Sequence, residues 1–227
     1  GIPYNLPYYP ALLEACGFQP DEDILSGYLS GRAEFPAKIH QIAERVMQKR
    51  GFQVARLRSR ADLRRLIPGL SEMYNRAIMD TPGNAPVEPA EIEAILRQVL
   101  VFADLKLIKI LLKGNQPVGF LLAYPDISAA LQRTRGRLLP LGWLDWWLEL
   151  KRTPWLNING MGIVEEYRGL GGTAILFSEM HKSIQSGRFQ YVEIVQIGAE
   201  NERMLRELRN LGVNFYKVHR LYSKPLV

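Results

Sequence analysis

Apolar residues recur along the chain with two different periods, which indicates that helices and strands alternate. Helical spacing predicts helices over residues 36–51, 61–79 and 89–99. Pro68 must break or kink the second of these, because proline lacks an amide hydrogen and clashes with the preceding turn. The Pro-Gly-Asn-Ala-Pro run at 82–86 predicts a loop between the second helix and the third.

Shorter segments carry the alternating or continuous apolar pattern of strands. The predicted strands are residues 24–29, 52–57, 105–112, 118–124, 155–163, 191–197 and 214–222. The third and fourth flank a Gly-Asn-Gln-Pro run at 114–117, which predicts a hairpin. Strands and helices in this order predict a mixed sheet with helices on both faces.

The first 35 residues stand apart from this order. Residues 3–18 predict a helix and 24–29 a strand, and so small a unit cannot bury a core of its own. The pair must dock on the rest of the chain, associate with another chain, or be the remnant of a cut domain. A strand left exposed at 24–29 would invite edge pairing, so a homodimer is one expectation.

Composition is that of an ordinary soluble globular protein, with 47% apolar and 23% charged residues among 227. The single cysteine, Cys16, excludes an internal disulfide framework. No apolar run approaches the ~18 residues that span a bilayer, and no signal peptide opens the sequence, so a cytoplasmic location is expected. His40, His181 and His219 lie in unrelated segments, and no metal site is predicted.

Two other features leave alternatives open. Basic residues cluster near one another at Arg45, Lys49, Arg50, Arg56, Arg58, Arg60, Arg64 and Arg65. This cluster is typical of a solvated basic face, and nucleic-acid binding rests on it alone. The segment 128–152 is unusually apolar for a connection, with three of the four tryptophans. It could roof a substrate cleft, form a dimer contact, cover a sheet face, or touch an anionic membrane surface through Arg133, Arg135, Arg137 and Lys151.

The most informative stretch runs from 162 to 176, where an apolar strand ends, a glycine-rich turn follows, and a helix begins at about Thr173. Such a turn leaves backbone amides unpaired at the positive end of a helix, which suits an anion such as a diphosphate. Glycine lets a phosphate approach the backbone and tolerates positive φ. Arg168 would add a positive charge beside the turn. A tight connection that binds nothing is the alternative.

Arg168-Gly169-Leu170-Gly171-Gly172-Thr173, after an apolar strand, resembles the acyl-CoA signature of the GNAT acyltransferase superfamily. Arg168 and Gly171 match the pattern, whereas Thr173 stands where the family prefers glycine or alanine. The resemblance implies a mostly antiparallel twisted sheet, acetyl-CoA as acyl donor, and loop amides that hold its diphosphate. The implied cofactor-binding residues are Met161, Ile163, Val164, Arg168, Gly169, Leu170, Gly171, Gly172, Thr173 and Asn201. Asn201 also suits a helix N-cap with no ligand contact.

The resemblance extends to bacterial proteins with two GNAT-like domains in tandem, through residues 3–18, 136–144 and 216–226. A short internal repeat supports duplication of a domain, because residues 5–17 and 201–212 both run from asparagine through an amphipathic helix to glycine. The implied organisation is a remnant of a preceding domain at 1–35, a linker helix at 36–51, and a complete GNAT-like domain at 52–227. Residues 128–152 would be an insertion in that domain.

Catalytic residues are less well indicated. Family members often carry a glutamate on the strand before the glycine-rich turn, but residues 155–163 contain no carboxylate. Glu193 on the next strand is the best remaining base, with a charge at the sheet rim as its alternative reading. Leu208 stands where many relatives carry a tyrosine acid, which leaves Tyr216 as the candidate acid or as a packing residue.

These observations predict an N-acyltransferase that moves an acetyl or other acyl group from CoA to an unidentified amine by direct attack. A catalytically degenerate GNAT-like module that binds CoA or dimerises is the alternative, because both expected catalytic residues are missing. Nucleic-acid binding is a third class, supported only by charge. The homodimer, if formed, would use the N-terminal strand or the apolar insertion.

Overall fold

The computed structural model describes residues 5–78 and 86–225. Within these ranges the chain forms eight α-helices and seven strands, and most neighbouring strands are antiparallel. The predicted mixed α/β class is therefore confirmed. The loop predicted at 82–86 lies outside the described residues except for its last position.

The helices and strands have the following bounds. The helices are α1 (Tyr9–Ala15), α2 (Ala37–Arg50), α3 (Arg60–Ile78), α4 (Pro89–Phe102), α5 (Ser128–Thr134), α6 (Gly142–Arg152), α7 (Gly172–Gln185) and α8 (Glu202–Asn210). The strands are β1 (Gln19–Ser30), β2 (Phe52–Val54), β3 (Ile108–Lys113), β4 (Gln116–Pro125), β5 (Trp155–Ile163), β6 (Tyr191–Gly198) and β7 (Asn214–Ser223). Each predicted helix and strand has a counterpart, although the ends shift. The helix predicted at 3–18, whose residues 3 and 4 lie outside the described residues, is observed at Tyr9–Ala15. Helix α3 continues through Pro68, where a break or kink was predicted.

Two compact units divide the described chain. Unit 1 comprises Gly1–Ser30, Pro125–Asn157 and Tyr191–Val227, and unit 2 comprises Gly31–Tyr124 and Ile158–Gln190. The predicted division into residues 1–35, 36–51 and 52–227 stays a prediction. The proposed ancestry of residues 1–35, as the remnant of a duplicated domain, stays a prediction.

Unit 2 carries strands in the order β2-β3-β4 followed by the end of β5. The β3–β4 hairpin forms as predicted, with Ile108 opposite Leu122 and Lys113 opposite Gln116. The core of this unit packs the apolar stripe of α3 on the two strands, because that stripe recurs at helical spacing. Its buried members are Leu63, Ile67, Leu70, Met73, Ala77, Ile108, Ile110, Phe120 and Val164.

Helix α2, expected from the sequence to be a connector, packs on α7 within unit 2. Ala43 is fully buried, and His40 Nδ1 lies 2.8 Å from Ser178 Oγ. The helix ends at Gly51, whose φ of 64° is the left-handed conformation that glycine adopts without a steric penalty. The end of α2 is thereby held beside the beginning of α7.

Unit 1 contains the start of β5 and then strands in the order β6-β1-β7. Strand β1 pairs antiparallel with β6, where Ile24 faces Gly198, and with β7, where Leu25 faces Val218. Of the alternatives left open for the first 35 residues, the structure shows docking on the rest of the chain, because both edges of the strand are hydrogen-bonded within it. Edge pairing through this strand no longer argues for a homodimer.

The predicted insertion at 128–152 forms two short helices in unit 1, α5 and α6. Ala130 is buried in α5, whereas no residue of α6 is fully buried. In the described part of the chain, no helix combines the length and the apolarity needed to cross a bilayer.

Candidate functional site

The glycine-rich turn between β5 and α7 lies in unit 2. A short 3-10 turn at Glu165–Tyr167 leads into it, and α7 begins at Gly172. Gly169 and Gly171 have φ angles of 73° and 94°, which residues with a Cβ rarely adopt. The predicted need for glycine in this turn is met at these two positions.

Six consecutive main-chain amides, those of residues 169–174, have no hydrogen-bond acceptor among the described residues. The amide of Arg168 donates to Glu165 O at 3.0 Å, and that of Ile175 donates to Gly171 O at 3.3 Å. Between them, within the described ranges, the amides of residues 169–174 donate to neither backbone nor side-chain acceptors. These amides stand at the N-terminus of a 14-residue helix, where the helix dipole favours negative charge. The donor set fits a diphosphate group.

Gly171 is fixed by packing as well as by its backbone angle. A Cβ at this position would lie 2.6 Å from Cγ2 of Val46 on α2, well inside van der Waals contact. Gly172 is similarly tight, since its Cβ would lie 2.8 Å from Cδ2 of Leu111. The turn is thus pressed onto α2 and β3, and this close approach holds the amides in place.

Arg168 braces the turn through its side chain. Its Nε donates to Ile163 O at 2.9 Å, and one terminal nitrogen donates to Ala77 O at 3.3 Å. The predicted charge beside the turn is present, but these donors are directed at the backbone of β5 and α3. These hydrogen bonds hold the loop in its orientation and fix the positively charged guanidinium group beside it.

Arg50, at the end of α2, is a second cation at the turn that was not singled out from the sequence. One of its terminal nitrogens donates to Leu170 O at 3.2 Å, and the side chain is otherwise exposed. In the sequence it was one of eight clustered basic residues. Its place at the turn follows from the packing of α2 on α7, and its hydrogen bond to Leu170 O is a tertiary contact.

The other predicted loop and strand residues also lie in unit 2. Ile163 and Val164 are buried, and the Val164 amide donates to Val118 O at 3.0 Å. Their side chains therefore belong to the core. Met161 and Thr173 are partly exposed. Gly160, in the middle of β5, has a φ of 112°, an irregularity typical of a bulged strand.

Asn201 lies in unit 1, at the start of α8. Its Oδ1 accepts from the amide of Met204 at 3.1 Å, so the side chain is an N-cap. This is the structural reading that the sequence allowed, and it leaves the proposed ligand contact of Asn201 as a prediction.

Glu193 and Tyr216, the two candidate catalytic residues, are in contact within unit 1. The Tyr216 hydroxyl donates to Glu193 Oε1 at 2.8 Å, and Lys217 Nζ donates to the same oxygen. Glu193 is only 6% exposed, so its alternative reading as a solvated charge at the sheet rim was wrong. A buried carboxylate needs such partners, because an unpaired one would be strongly destabilising.

The surroundings of this cluster shift two pKa values. Burial raises the pKa of the Tyr216 hydroxyl, and Glu193 raises it further against an opposing hydrogen bond from Lys217. Burial alone would lower the pKa of Lys217, but its bonds to Glu193 and Tyr216 outweigh burial and the net shift is upward. Tyr216 and Lys217 therefore both hold their protons at neutral pH.

Lys217 was not predicted, and a backbone irregularity explains why. Ser26 on β1 faces Lys217 on β7, whereas the next residue, Gly27, faces Phe215. Tyr216 is thus an extra residue in β7, a bulge that lets two successive side chains reach one carboxylate. Strict alternation along a strand would place Tyr216 and Lys217 on opposite faces.

Asn157, on β5, is the remaining polar residue of note. It is 1% exposed, and neither polar atom of its side chain has a hydrogen-bond partner in the described part of the chain. Leaving such groups unpaired costs about 1–3 kcal/mol each, which favours a ligand or water contact here. Among the described residues, no group of three or more His, Cys, Asp or Glu side chains could hold a metal ion.

Two curated relatives match most of the chain at low identity. A protein named bacterial ceramide synthase from Caulobacter vibrioides is 26% identical over 204 residues, covering 86% of this chain and 53% of its own length. Protein YghO from Escherichia coli is 22% identical over 232 residues, covering 99% and 59%. The chain thus spans a little over half the length of either. No known family profile matches the sequence.

Solved structures match the fold at still lower identity. A GCN5-related N-acetyltransferase from Sphaerobacter thermophilus aligns with a TM-score of 0.58 and 15% identity, over 94% of this chain and 55% of its own. The glucosamine N-acetyltransferase region of a fungal multi-domain β-N-acetylglucosaminidase gives 0.63 and 12%, over 98% and 24%. A tandem GNAT protein from the clavulanic acid pathway gives 0.51 and 11%, over 99% and 61%. The chain has the fold of the GNAT acetyltransferases, as its glycine-rich turn predicted.

Proposed function

We propose that this chain binds an acyl-CoA at the turn 168–173 and transfers the acyl group to an amine. The observation that carries the proposal is the run of unpartnered amides at 169–174 on the N-terminus of α7. Residues 169–173 would hold the diphosphate through these donors, and Arg168 and Arg50 would contribute positive charge. When bound, acyl-CoA supplies an activated thioester.

The reaction joins an amine nitrogen to the thioester carbonyl carbon and breaks the carbon–sulfur bond. The amine must lose a proton, and the departing thiolate must gain one. We assign the first transfer to Glu193 as base and the second to Tyr216 as acid. The hydrogen bonds from Tyr216 and Lys217 are both accepted by Glu193 Oε1, and neither is accepted by Oε2. Tyr216 keeps its proton at neutral pH, as an acid must.

The relative named bacterial ceramide synthase suggests which substrates to try first. A ceramide is an amide of a fatty acid with a long-chain amine, so its formation is an N-acylation. We therefore propose a fatty acyl-CoA and a long-chain amine as the first pair, with acetyl-CoA and small polar amines as the comparison pair. Because the two sequences are only 26% identical, a turnover assay must decide between the two pairs of substrates.

The experiment is thiol release from acetyl-CoA and from a fatty acyl-CoA, with each class of amine, followed by mass spectrometry of the amide product. We expect turnover with at least one pair, and Glu193→Gln should lower kcat by about 100-fold or more while leaving the affinity for CoA unchanged. Glu179→Gln, on α7, is the matched control and should leave kcat unchanged. Tight CoA binding without turnover would instead favour the non-catalytic CoA-binding module.

A further inference from the structure

Helix α6 presents its apolar side outward, the reverse of the usual arrangement on a globular protein. Trp143 and Trp147 are 53% and 48% exposed, Leu144 is 38% exposed, and Lys151 is exposed. Trp143, Trp147 and Lys151 follow one another at intervals of four residues, so they share one helix face. We call these four residues the tryptophan face.

The opposite side of α6 carries the polar contacts. Trp146 Nε1 donates to Thr134 Oγ1 on α5 at 3.1 Å. Arg133 of α5 binds Asp145 through two nitrogens at 3.0 and 2.9 Å and also binds Glu149. Both carboxylates of the segment 128–152 are therefore paired with one cation, and neither lies on the tryptophan face.

The connection before α6 extends the apolar surface. Leu138, Leu139 and Leu141 are 48%, 80% and 68% exposed, so their side chains lie on the surface. These three exposed leucines and the two exposed tryptophans all lie within residues 138–147. Large exposed apolar patches of this kind mark surfaces that bind something.

Cations surround this surface. Arg135 and Arg137 are exposed in the same connection, and Lys151 and Arg152 are exposed at the end of α6. Lys151 Nζ lies 3.6 Å from the centre of the Trp147 ring, so charge and aromatic surface adjoin. The segment 128–152 carries five cations against two carboxylates, a net charge of +3, and both carboxylates are paired with Arg133.

We infer that the tryptophan face and the leucines of the preceding connection dock on the surface of an anionic lipid bilayer. Tryptophan favours the boundary between headgroups and acyl chains, and basic residues beside it attract anionic lipids. A second copy of the chain fits less well. A symmetric dimer through this patch would bring the cations of one copy against those of the other.

Vesicle flotation with the full chain tests the inference. Vesicles of phosphatidylcholine alone are compared with vesicles of equal parts phosphatidylcholine and phosphatidylglycerol. We expect about tenfold or tighter binding to the anionic vesicles, weakened by added salt. Brominated lipids in the same vesicles should quench tryptophan fluorescence, because Trp143 and Trp147 would lie at acyl-chain depth.

Paired variants separate the apolar from the ionic contribution. Trp143→Ser with Trp147→Ser should lower vesicle affinity about tenfold or more, with the folded circular dichroism spectrum retained. Arg135→Gln with Arg137→Gln should lower affinity for anionic vesicles roughly 30-fold and leave neutral vesicles unaffected. Ile95→Ser, also exposed, and Arg56→Gln with Arg58→Gln are the matched controls and should change nothing.

Two outcomes would overturn the inference. One is equal flotation of the chain and its tryptophan variant. The other is a concentration-dependent dimer in sedimentation, abolished by the tryptophan variant, in a chain that does not bind vesicles; the patch would then be an interface between copies. Neither measurement involves CoA, so their results are independent of the proposed function.

Discussion

At the scale of single residues, Gly171 shows most clearly how the sequence determines the turn. Its φ of 94° excludes most side chains, and the Val46 methyl group occupies the place of a Cβ. Backbone angle and packing therefore require glycine for separate reasons. Glycine at this position lets the chain turn closely against α2 immediately before α7 begins.

Replacing Gly171 separates these two reasons. Gly171→Ala should lower the free energy of unfolding by about 2–4 kcal/mol, since it adds backbone strain and overpacking together. Gly136→Ala is the control, because its φ is 73° but its Cβ would meet no atom within 4 Å. That control should cost only about 1 kcal/mol.

Urea unfolding measures both free energies. Val46→Ala should recover part of the loss in the Gly171→Ala background, because it removes the methyl groups nearest the new Cβ. Equal destabilisation by Gly171→Ala and Gly136→Ala would mean that contact with Val46 contributes nothing.

Glu22 is a residue whose protonation should affect stability. Its carboxyl lies beside Glu200 in unit 1, and the hydrogen bond between the two carboxyls, followed by burial and charge repulsion, raises the pKa of Glu22 to about 7 from 4.5. The folded state therefore binds a proton more tightly than the unfolded state. This stabilising contribution is complete below pH 4.5 and is lost as the pH rises through about 7.

Glu22→Gln should flatten the pH dependence of stability across this window. Between pH 5 and pH 8, the unfolding midpoint of the unchanged chain should fall relative to that of the variant. Urea titrations of both proteins at the two pH values give the comparison. A constant difference at the two pH values would show that Glu22 titrates alike in the folded and unfolded states.

At the scale of helices and strands, the sequence predicted which segments form but not all of their neighbours. Periodicity identified α3, α7 and the β3–β4 hairpin, because one face of each is buried and the pattern is local. The position of β1 between β6 and β7 depends on pairing between residues that are far apart in the chain, such as Ile24 with Gly198 and Leu25 with Val218. No local pattern encodes such a contact, so the sequence left open whether this strand docks on the rest of the chain or pairs with another chain.

The candidate site was likewise predictable only in part. The turn at 168–173 was predictable, since glycine spacing and the start of α7 are adjacent in sequence. The contact of Lys217 with Glu193 depends on a bulge at Tyr216, and that of Arg50 with Leu170 depends on helix packing. Bulges and packing arise from tertiary structure, which alternation and composition do not report.

Gly27 tests the central position of β1. A Cβ there would lie 2.7 Å from Val213 Cγ1 and 2.8 Å from Asn214 O, where the chain enters β7. Gly27→Ala should therefore destabilise the chain by about 2–3 kcal/mol in urea unfolding. Gly198→Ala, opposite Ile24 on β6, is the control, since its Cβ would meet only the flexible end of Glu22 at 3.3 Å. A neutral Gly27→Ala would contradict the pairing of β1 with β7.

At the scale of the whole molecule, the chain has a GNAT fold and also carries an exposed apolar surface with basic residues around it. Unit 2 holds the turn with unpartnered amides, and unit 1 holds the Glu193 cluster and the tryptophan face. The fold accounts for the first feature, since the turn stands between a strand and a helix. The tryptophan face is characterised by its exposure and by the cations around it, and it is assigned a separate role.

The most direct test of the central claim is a titration of backbone amide resonances with CoA and with pantetheine, which lacks the diphosphate. We expect the amides of residues 169–174 to shift strongly with CoA and little with pantetheine, because only CoA offers them an anionic acceptor. The amide of Ile175, already bonded to Gly171 O, should respond less. CoA that binds while these six amides remain unchanged would contradict the assignment of the turn as the diphosphate site.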